Sequence, residues 1–300
     1  MKKILFFIVS ICVASISYAG WPTKEITLIV PYSPGGTTDQ AARNIASEIE
    51  KKTGNVVLVK NMPGAANLVA INHVINQPNN NHTFIISDTD FISGTIAQGT
   101  NAYTHFTPTN IISFSPYLII GSPETNLTNF KTEIKNKKII NIGNAGGGGY
   151  WLKQVKSPIE FNAIPYKGGA NIMSDVMASQ LEYGISSVTS FYPLVVDKKV
   201  NPIAIVNDTR IDALPDVPTA HELGFIGNNT MLWTGIFAQH NTEPEAIDKF
   251  SKLVQDAVAN SSYLQSLPKK GGVILNYGPA KSQQFINKEV ILYKKINSIT

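Results

Sequence analysis

The sequence predicts an α/β protein, because short apolar runs alternate with helical periodicities along almost its whole length. Three observations carry this reading. Strand-like runs are nearly continuous in apolar residues, apolar side chains follow at i, i+3 and i+4, and glycine turns join the two. ITLIV (Ile26–Val30) opens the series as a strand covered on both faces. Ala42, Ile45, Ala46 and Ile49 then recur at helical spacing, and Gly54 supplies a C-terminal stop. VVLV (Val56–Val59) is the next strand, Pro63-Gly64-Ala65 leads into a second helix, and TFIIS (Thr83–Ser87) is a third strand. A weaker alternation runs on to YLIIG (Tyr117–Gly121).

A second set begins beyond a polar, lysine-rich stretch from Asn126 to Lys138. IINIG (Ile139–Gly143) is a strand that exits into Asn144-Ala145-Gly146-Gly147-Gly148-Gly149. FNAIPY (Phe161–Tyr166) is another, followed by Lys167-Gly168-Gly169 and a helix carrying Ile172, Val176 and Met177. LEYGIS (Leu181–Ser186), PIAIV (Pro202–Val206) and WTGIFA (Trp233–Ala238) complete the strands, and Pro244–Ala259 and Ser282–Ser298 read as long helices.

The N-terminus reads as a secretory signal. Lys2 and Lys3 form a basic head, Ile4 to Ile16 is largely apolar, and Ser17-Tyr18-Ala19 is a small-x-Ala cleavage site, so cutting is expected after Ala19. The apolar run is shorter than the roughly 20 residues of a membrane span. Cys12, the single cysteine, leaves with it, and the mature chain has no disulfide. Roughly 280 remaining residues can bury a core without such a staple. Removing Lys2 and Lys3 takes the formal net charge from +4 to 23 − 21 = +2, with no basic stripe, which argues against nucleic acid as a partner. Phe225 stands where a zinc helix starting at His221-Glu222 would need its second histidine, so no metal site is expected. No cofactor loop is complete, since Gly146–Gly149 lacks the Gly-Lys-Ser/Thr ending. No Gly-x-Ser-x-Gly elbow or Ser/His/Asp set appears, so an exported hydrolase or transferase is the rival reading, and no enzyme is expected.

Glycine turns recur after Val30, Gly143 and Tyr166, each where a strand gives way to a helix. Each turn is open to two readings, a tight βα connection or an anion cradle at a helix N-terminus. Three in equivalent positions suggest loops facing one another across a crevice at the carboxyl ends of the strands. With only Arg43 and Arg210 in the chain, an anionic ligand would have to be held by backbone N–H groups and hydroxyls. About four to six charge-assisted hydrogen bonds of 1.5–3 kcal/mol each would suffice for micromolar affinity, about 8 kcal/mol net, after association costs. Arg43 follows Asp39 at i, i+4 and reads as a surface ion-pair partner.

WPTKEITLIVPYSPGGTTDQAAR (Trp21–Arg43) resembles the opening of the Bug family, the TctC-like extracytoplasmic solute receptors of tripartite tricarboxylate transporters. NMPGAAN (Asn61–Asn67), IPYKGGA (Ile164–Ala170), ALPDVPTAHELG (Ala213–Gly224) and WTGIFA (Trp233–Ala238) follow in the family's order, so the resemblance spans the mature chain. It implies a bilobed, type II-like periplasmic-binding-protein fold of two α/β domains with a ligand cleft between them. Lobe 1 would take residues 20–119 plus 229–300, and lobe 2 residues 120–228. A monomeric periplasmic receptor for a small carboxylated solute, a carboxylate or an amino acid, is implied, with integral-membrane permease subunits as partners.

Carried over residue by residue, Ser33, Gly35, Gly36, Thr37 and Asp39 form the first-lobe loop. Asn144, Ala145, Gly146 and Gly147 face it, with Lys167, Gly168, Gly169 and Ala170, and with Ser187 and Thr189. Pro34-Gly35-Gly36 would bring bare backbone to a ligand carboxylate, with Thr37 or Thr38 capping the helix behind it. Gly36 is expected to need a glycine backbone, and Asp39 also reads as a first-turn residue favoured by the helix dipole. Two stretches depart from the family pattern. Tyr150 and Trp151 either line the pocket or pack beneath it. Ser87 and Asp88, with Asp90, stand where a Gly/Thr/Ser turn is usual. If one of the aspartates faces the cleft, the ligand would need an ammonium or amide donor; otherwise they are solvated or cap a helix.

Overall fold

The computed structural model describes residues 21–145, 148–227 and 230–298. The expected signal segment lies outside them, as do Gly146 and Gly147.

Near-continuous apolar runs build the first sheet. β1 (Ile26–Val30) runs parallel to β2 (Val57–Asn61) on one side and to β3 (Thr83–Asp88) on the other. Its side chains alternate between two cores, Leu28 and Val30 facing one and Ile29 the other, which is why the run shows no polar alternation. α1 (Thr37–Thr53) and α8 (Pro244–Asn260) cover the first face, where the Phe84 ring stacks on Phe250 at 3.6 Å. Burying each such ring contributes about 1.5–3 kcal/mol. α2 (Leu68–Ile75), α3 (Asp90–Ala97) and α10 (Pro279–Asn297) cover the other face. Gly54 ends α1 in the left-handed conformation (φ 72°), donating its N–H to Glu50 O at 2.8 Å.

β4 (Phe106–Gly121) is a single strand of 16 residues and joins two strand groups. Up to Pro116 it pairs antiparallel with β9 (Met231–Gln239), with β10 (Val273–Tyr277) on its other edge; α9 (Ser262–Gln265) lies between α8 and β10 in sequence. From Tyr117 on it pairs with β7 (Tyr183–Ser187) and β8 (Asn201–Val206). The weak alternation expected over this stretch is thus one element. Pro108 lies at a register shift and Pro116 where the partners change, the places where a missing N–H is tolerated.

The second group adds β5 (Ile140–Asn144), parallel to both β7 and β6 (Phe161–Pro165). α5 (Gly148–Gln154), α6 (Gly169–Met177) and α7 (Val188–Val196) follow β5, β6 and β7 in turn. The lysine-rich stretch expected to be a boundary contains α4 (Leu127–Lys135). Asn126 caps it by accepting from the N–H of Thr128 and Asn129, while Phe130 is fully buried. Two strand groups, each covered by helices on both faces, therefore meet along β4 and β9.

Candidate functional site

The loops after β1, β5, β6 and β7 converge where the two groups meet. On the first side, Gly35 takes φ 90°, the left-handed region that favours glycine. Its N–H donates to Asp39 Oδ2 at 2.9 Å. Asp39 is only 2 % exposed and also accepts from Arg43 Nε at 3.0 Å and Asn61 Nδ2 at 2.8 Å. Burial pushes its carboxyl up, but the hydrogen bonds from Arg43, the Gly35 N–H and Asn61 outweigh that and leave it below its ordinary value. Both oxygens of Asp39 are thus used to clamp the loop, and the ion pair with Arg43 is part of that clamp.

Two local expectations are corrected. Gly36, at φ −75° and ψ 172°, is the N-cap of α1, and neither Thr37 nor Thr38 caps the helix. That extended backbone suits any residue, so the glycine requirement falls on Gly35. Gly36 matters for its missing side chain, since a Cβ there would stand 4.0 Å from the Gly169 N across the cleft.

The opposite side is built the same way. Gly168 is the N-cap of α6, and a Cβ on it would meet Ser33 N at 3.6 Å. At Gly169 a Cβ would sit 3.0 Å from Ser186 Oγ and 3.4 Å from Ser190 Oγ, so bare backbone leaves these hydroxyls room. Ala170 opposes Gly35, its Cβ 3.7 Å from where a Gly35 Cβ would be. Lys167 contributes its carbonyl, which accepts from Ser33 N at 3.1 Å, while its side chain is exposed. Ser187 caps α7 by accepting from Ser190 N at 3.2 Å and meets Thr37 Oγ1 across the cleft at 3.2 Å. Thr189 turns inward, donating to Ser187 Oγ at 3.3 Å. Asn144 donates to Ile164 O at 3.1 Å and positions Ala145 at the cavity wall.

Between the loops lies a narrow cavity of ≈ 20 Å³, about one water molecule's worth. Tyr32, Gly36, Thr37, Thr38 and Asp88 line it from one side. Ala145, Gly168, Gly169, Ser186 and Ser190 line it from the other, with Leu232 at the base. The N-termini of α1, α6 and α7 all meet this space; no side chain caps α1 or α6, whereas at α7 Ser190 N donates to Ser187 Oγ and Thr189 N to Ser115 Oγ at 3.4 Å. Among the described residues, no Lys, Arg or His lines it.

Among the described residues, Asp88 is the one charged side chain in that wall. It is 4 % exposed and its Oδ1 accepts from Tyr32 OH at 2.5 Å and from Asp90 N at 2.9 Å. The second bond takes up the first N–H of α3, whose N-cap residue is Thr89, so Asp88 supports the start of that helix and faces the cleft. Asn67 supports Tyr32 through Nδ2 at 3.2 Å and accepts from Ser87 Oγ at 3.1 Å. Ser87 is thereby tied into a buried network rather than the cavity wall. Burial pushes the Asp88 carboxyl up to about 6, against the pull of Tyr32 and the Asp90 N–H. Asp90, outside the wall, is pushed up to about 8 by burial and then by the Asp88 charge.

Tyr150 packs between the lobes. Its hydroxyl donates to Tyr293 O at 3.2 Å and its ring meets Tyr293 edge-on at 5.1 Å. Trp151 is buried beneath β5 and β6 with Phe225. Neither lines the cavity. Sequence reasoning missed Tyr32, Thr38, Ser186, Ser190 and Leu232. Tyr32 and Thr38 flank the recognised loop, and Ser190 stands three residues past Ser187 at helical spacing, so local signals existed for these. Leu232 reaches the cleft only because β9 pairs with β4.

Residues 41–299 match the family model for the tripartite tricarboxylate transporter family receptor. BugT of Bordetella pertussis is 22% identical over 294 residues, covering 92% of this chain and 89% of that protein. The UPF0065 protein in the tcbD-tcbE intergenic region of Pseudomonas sp. (strain P51) is 25% identical over 264 residues, 84% of this chain and 79% of its own. Among solved structures, the periplasmic binding protein BugD superposes with a TM-score of 0.79 at 24% identity, covering 92% of this chain and 98% of that one. MatC from Rhodopseudomonas palustris with bound malate gives 0.80 at 23% identity, covering 92% and 100%. An R. palustris protein with adipate gives 0.80 at 25% identity, covering 93% and 97%. These are solute-binding proteins of two α/β domains, and not enzymes. The chain described here belongs to the tripartite tricarboxylate transporter receptor family.

Proposed function

We propose that this receptor closes its two lobes around a small carboxylated solute in the periplasm and presents it to integral-membrane permease subunits of the tripartite tricarboxylate type. The observation that carries the reading is the convergence of three helix N-termini on a cleft without basic side chains, a geometry that holds an anion by backbone dipoles. Relatives of the same fold hold malate and adipate, which supports the ligand class. The cleft is complete within one chain, in keeping with a monomer. The expected lobes, 20–119 plus 229–300 and 120–228, belong to this reading; the change of partners at Pro116–Tyr117 favours a first limit three residues earlier. Export with cleavage after Ala19 belongs to it too, and intact mass of the exported protein should give an N-terminus at Gly20. A retained Cys12 would contradict this.

Native mass spectrometry of the purified protein, followed by a thermal-shift panel of small mono-, di- and tricarboxylates and amino acids, tests the function. A co-purified or stabilising carboxylate is expected, and stabilisation only by uncharged sugars or by polyamines would refute the reading.

Tyr150 supplies a further expectation. Its hydrogen bond and its aromatic contact with Tyr293 bridge the lobes, and are each worth about 0.5–1.5 kcal/mol. Tyr150→Ala should therefore weaken solute binding about tenfold and enlarge the radius of gyration measured by small-angle scattering. Unchanged values of both would show that this contact does not depend on closure.

A further inference from the structure

Resting on the carboxylate-receptor reading, we propose that the solute also carries an ammonium group and that Asp88 receives it, so that the receptor takes an amino acid or a similar zwitterion. The cavity wall is divided by charge. The glycine loops and the starts of α1, α6 and α7 present partial positive charge, and Asp88 alone presents a carboxylate. Both protein donors to Asp88 go to Oδ1, and no donor to Oδ2 is found among the described residues. Tyr32 has no proton to offer the solute, because its single one is given to Asp88, and its oxygen already receives Asn67 Nδ2.

The other ionisable groups that interact with Asp88 are Asp90 at the start of α3 and the phenols Tyr32 and Tyr117. None of these supplies a positive charge. A buried carboxylate facing a cavity without a cation is costly unless the bound molecule brings one. A dicarboxylate satisfies the helix N-termini but meets Asp88 with like charge, whereas a zwitterion satisfies both walls.

The test uses the processed full-length protein and pairs of probes that differ only in the amino group. L-aspartate is set against succinate, L-glutamate against glutarate and L-alanine against propionate, with ethylamine as the amine lacking a carboxylate. Calorimetric titration at pH 7.5 should give tenfold or tighter binding for the amino member of at least one pair. Asp88→Asn keeps an acceptor for Tyr32 and Asp90 N, and should abolish that preference. Plain acids that bind, but in every pair as tightly as their amino partners, overturn the inference and leave the carboxylate reading intact, as does an Asp88→Asn variant with unchanged preference. Ethylamine binding as tightly as the amino acid overturns the carboxylate reading instead, and failure of every pair overturns both. Should Asp88→Asn not fold, the paired comparison on the wild type decides alone.

Discussion

Gly36→Val is expected to lower the affinity for the best-binding carboxylated solute by tenfold or more, about 1.4 kcal/mol, without unfolding the protein. Valine accepts the extended backbone found there, φ −75° and ψ 172°, so the chain has no conformational reason to refuse it. Its Cβ would lie 4.0 Å from Gly169 N, and the branching methyls reach further into the space the solute occupies. They would displace the solute from the first N–H groups of α1 and hold the lobes apart. Gly36→Ala, whose Cβ fits, should lose far less. Gly35→Ala should behave differently again, because φ 90° costs a non-glycine residue about 1–3 kcal/mol and the Asp39 clamp acts on that N–H. Calorimetric titration alongside thermal melts separates the cases. Full affinity in a folded Gly36→Val variant would reduce Pro34-Gly35-Gly36 to a simple turn.

The contrast between these glycines shows what the sequence could and could not disclose. The turn itself was readable, because an apolar run, a Pro-Gly-Gly and a helical periodicity stand in succession. Which glycine is conformationally required was not, since either φ is compatible with the same letters. β1 and α1 were legible because burial on both sheet faces and on one helix stripe leaves distinct periods. β4 was not, because Pro108 and Pro116 interrupt its run and its two halves answer to different partners. α4 was hidden by its lysines, although Leu127, Phe130 and Ile134 repeat on its buried stripe. In the cleft, the loops after β1 and β6 were found by motif, while Ser186 and Leu232 are brought in by strand pairing alone. Asp39 illustrates the limit most clearly. Its spacing to Arg43 was evident, but the clamp on Gly35 also needs Asn61, delivered from the end of β2. Gly146 and Gly147, expected in the second-lobe loop, lie outside the described residues.

Asp90→Asn should stabilise the protein at pH 8, and the gain should shrink steadily as pH falls toward about 4. Burial, and then the Asp88 charge, raise the Asp90 carboxyl to about 8, and burial raises Asp88 to about 6. The folded state therefore holds these protons more tightly than the unfolded chain, whose aspartates titrate near 3.9. With more protons bound when folded, stability from this pair is fully present below about pH 4 and is lost as pH rises through about 6 and then about 8. Asparagine carries no charge to bury, so the variant escapes the loss at Asp90, and its Oδ1 can still accept from Ser93 Oγ, now 3.2 Å from the carboxylate. The phenols of Tyr32, Tyr117 and Tyr293 feel the Asp90 charge and stay protonated throughout, burial having pushed each well up, so they do not reverse the sign. Asp90 retains some solvent contact, which screens the repulsion, and we set the gain at pH 8 at about 1–3 kcal/mol. For a chain of this size that is roughly 2–10 °C in melting temperature. Melts of the two proteins across pH 5 to 8.5 supply the measurement, and the difference between them cancels every group they share. A difference that is flat with pH, or that favours the wild type at pH 8, would mean that Asp90 is ionised without penalty and that Asp88 does not repel it.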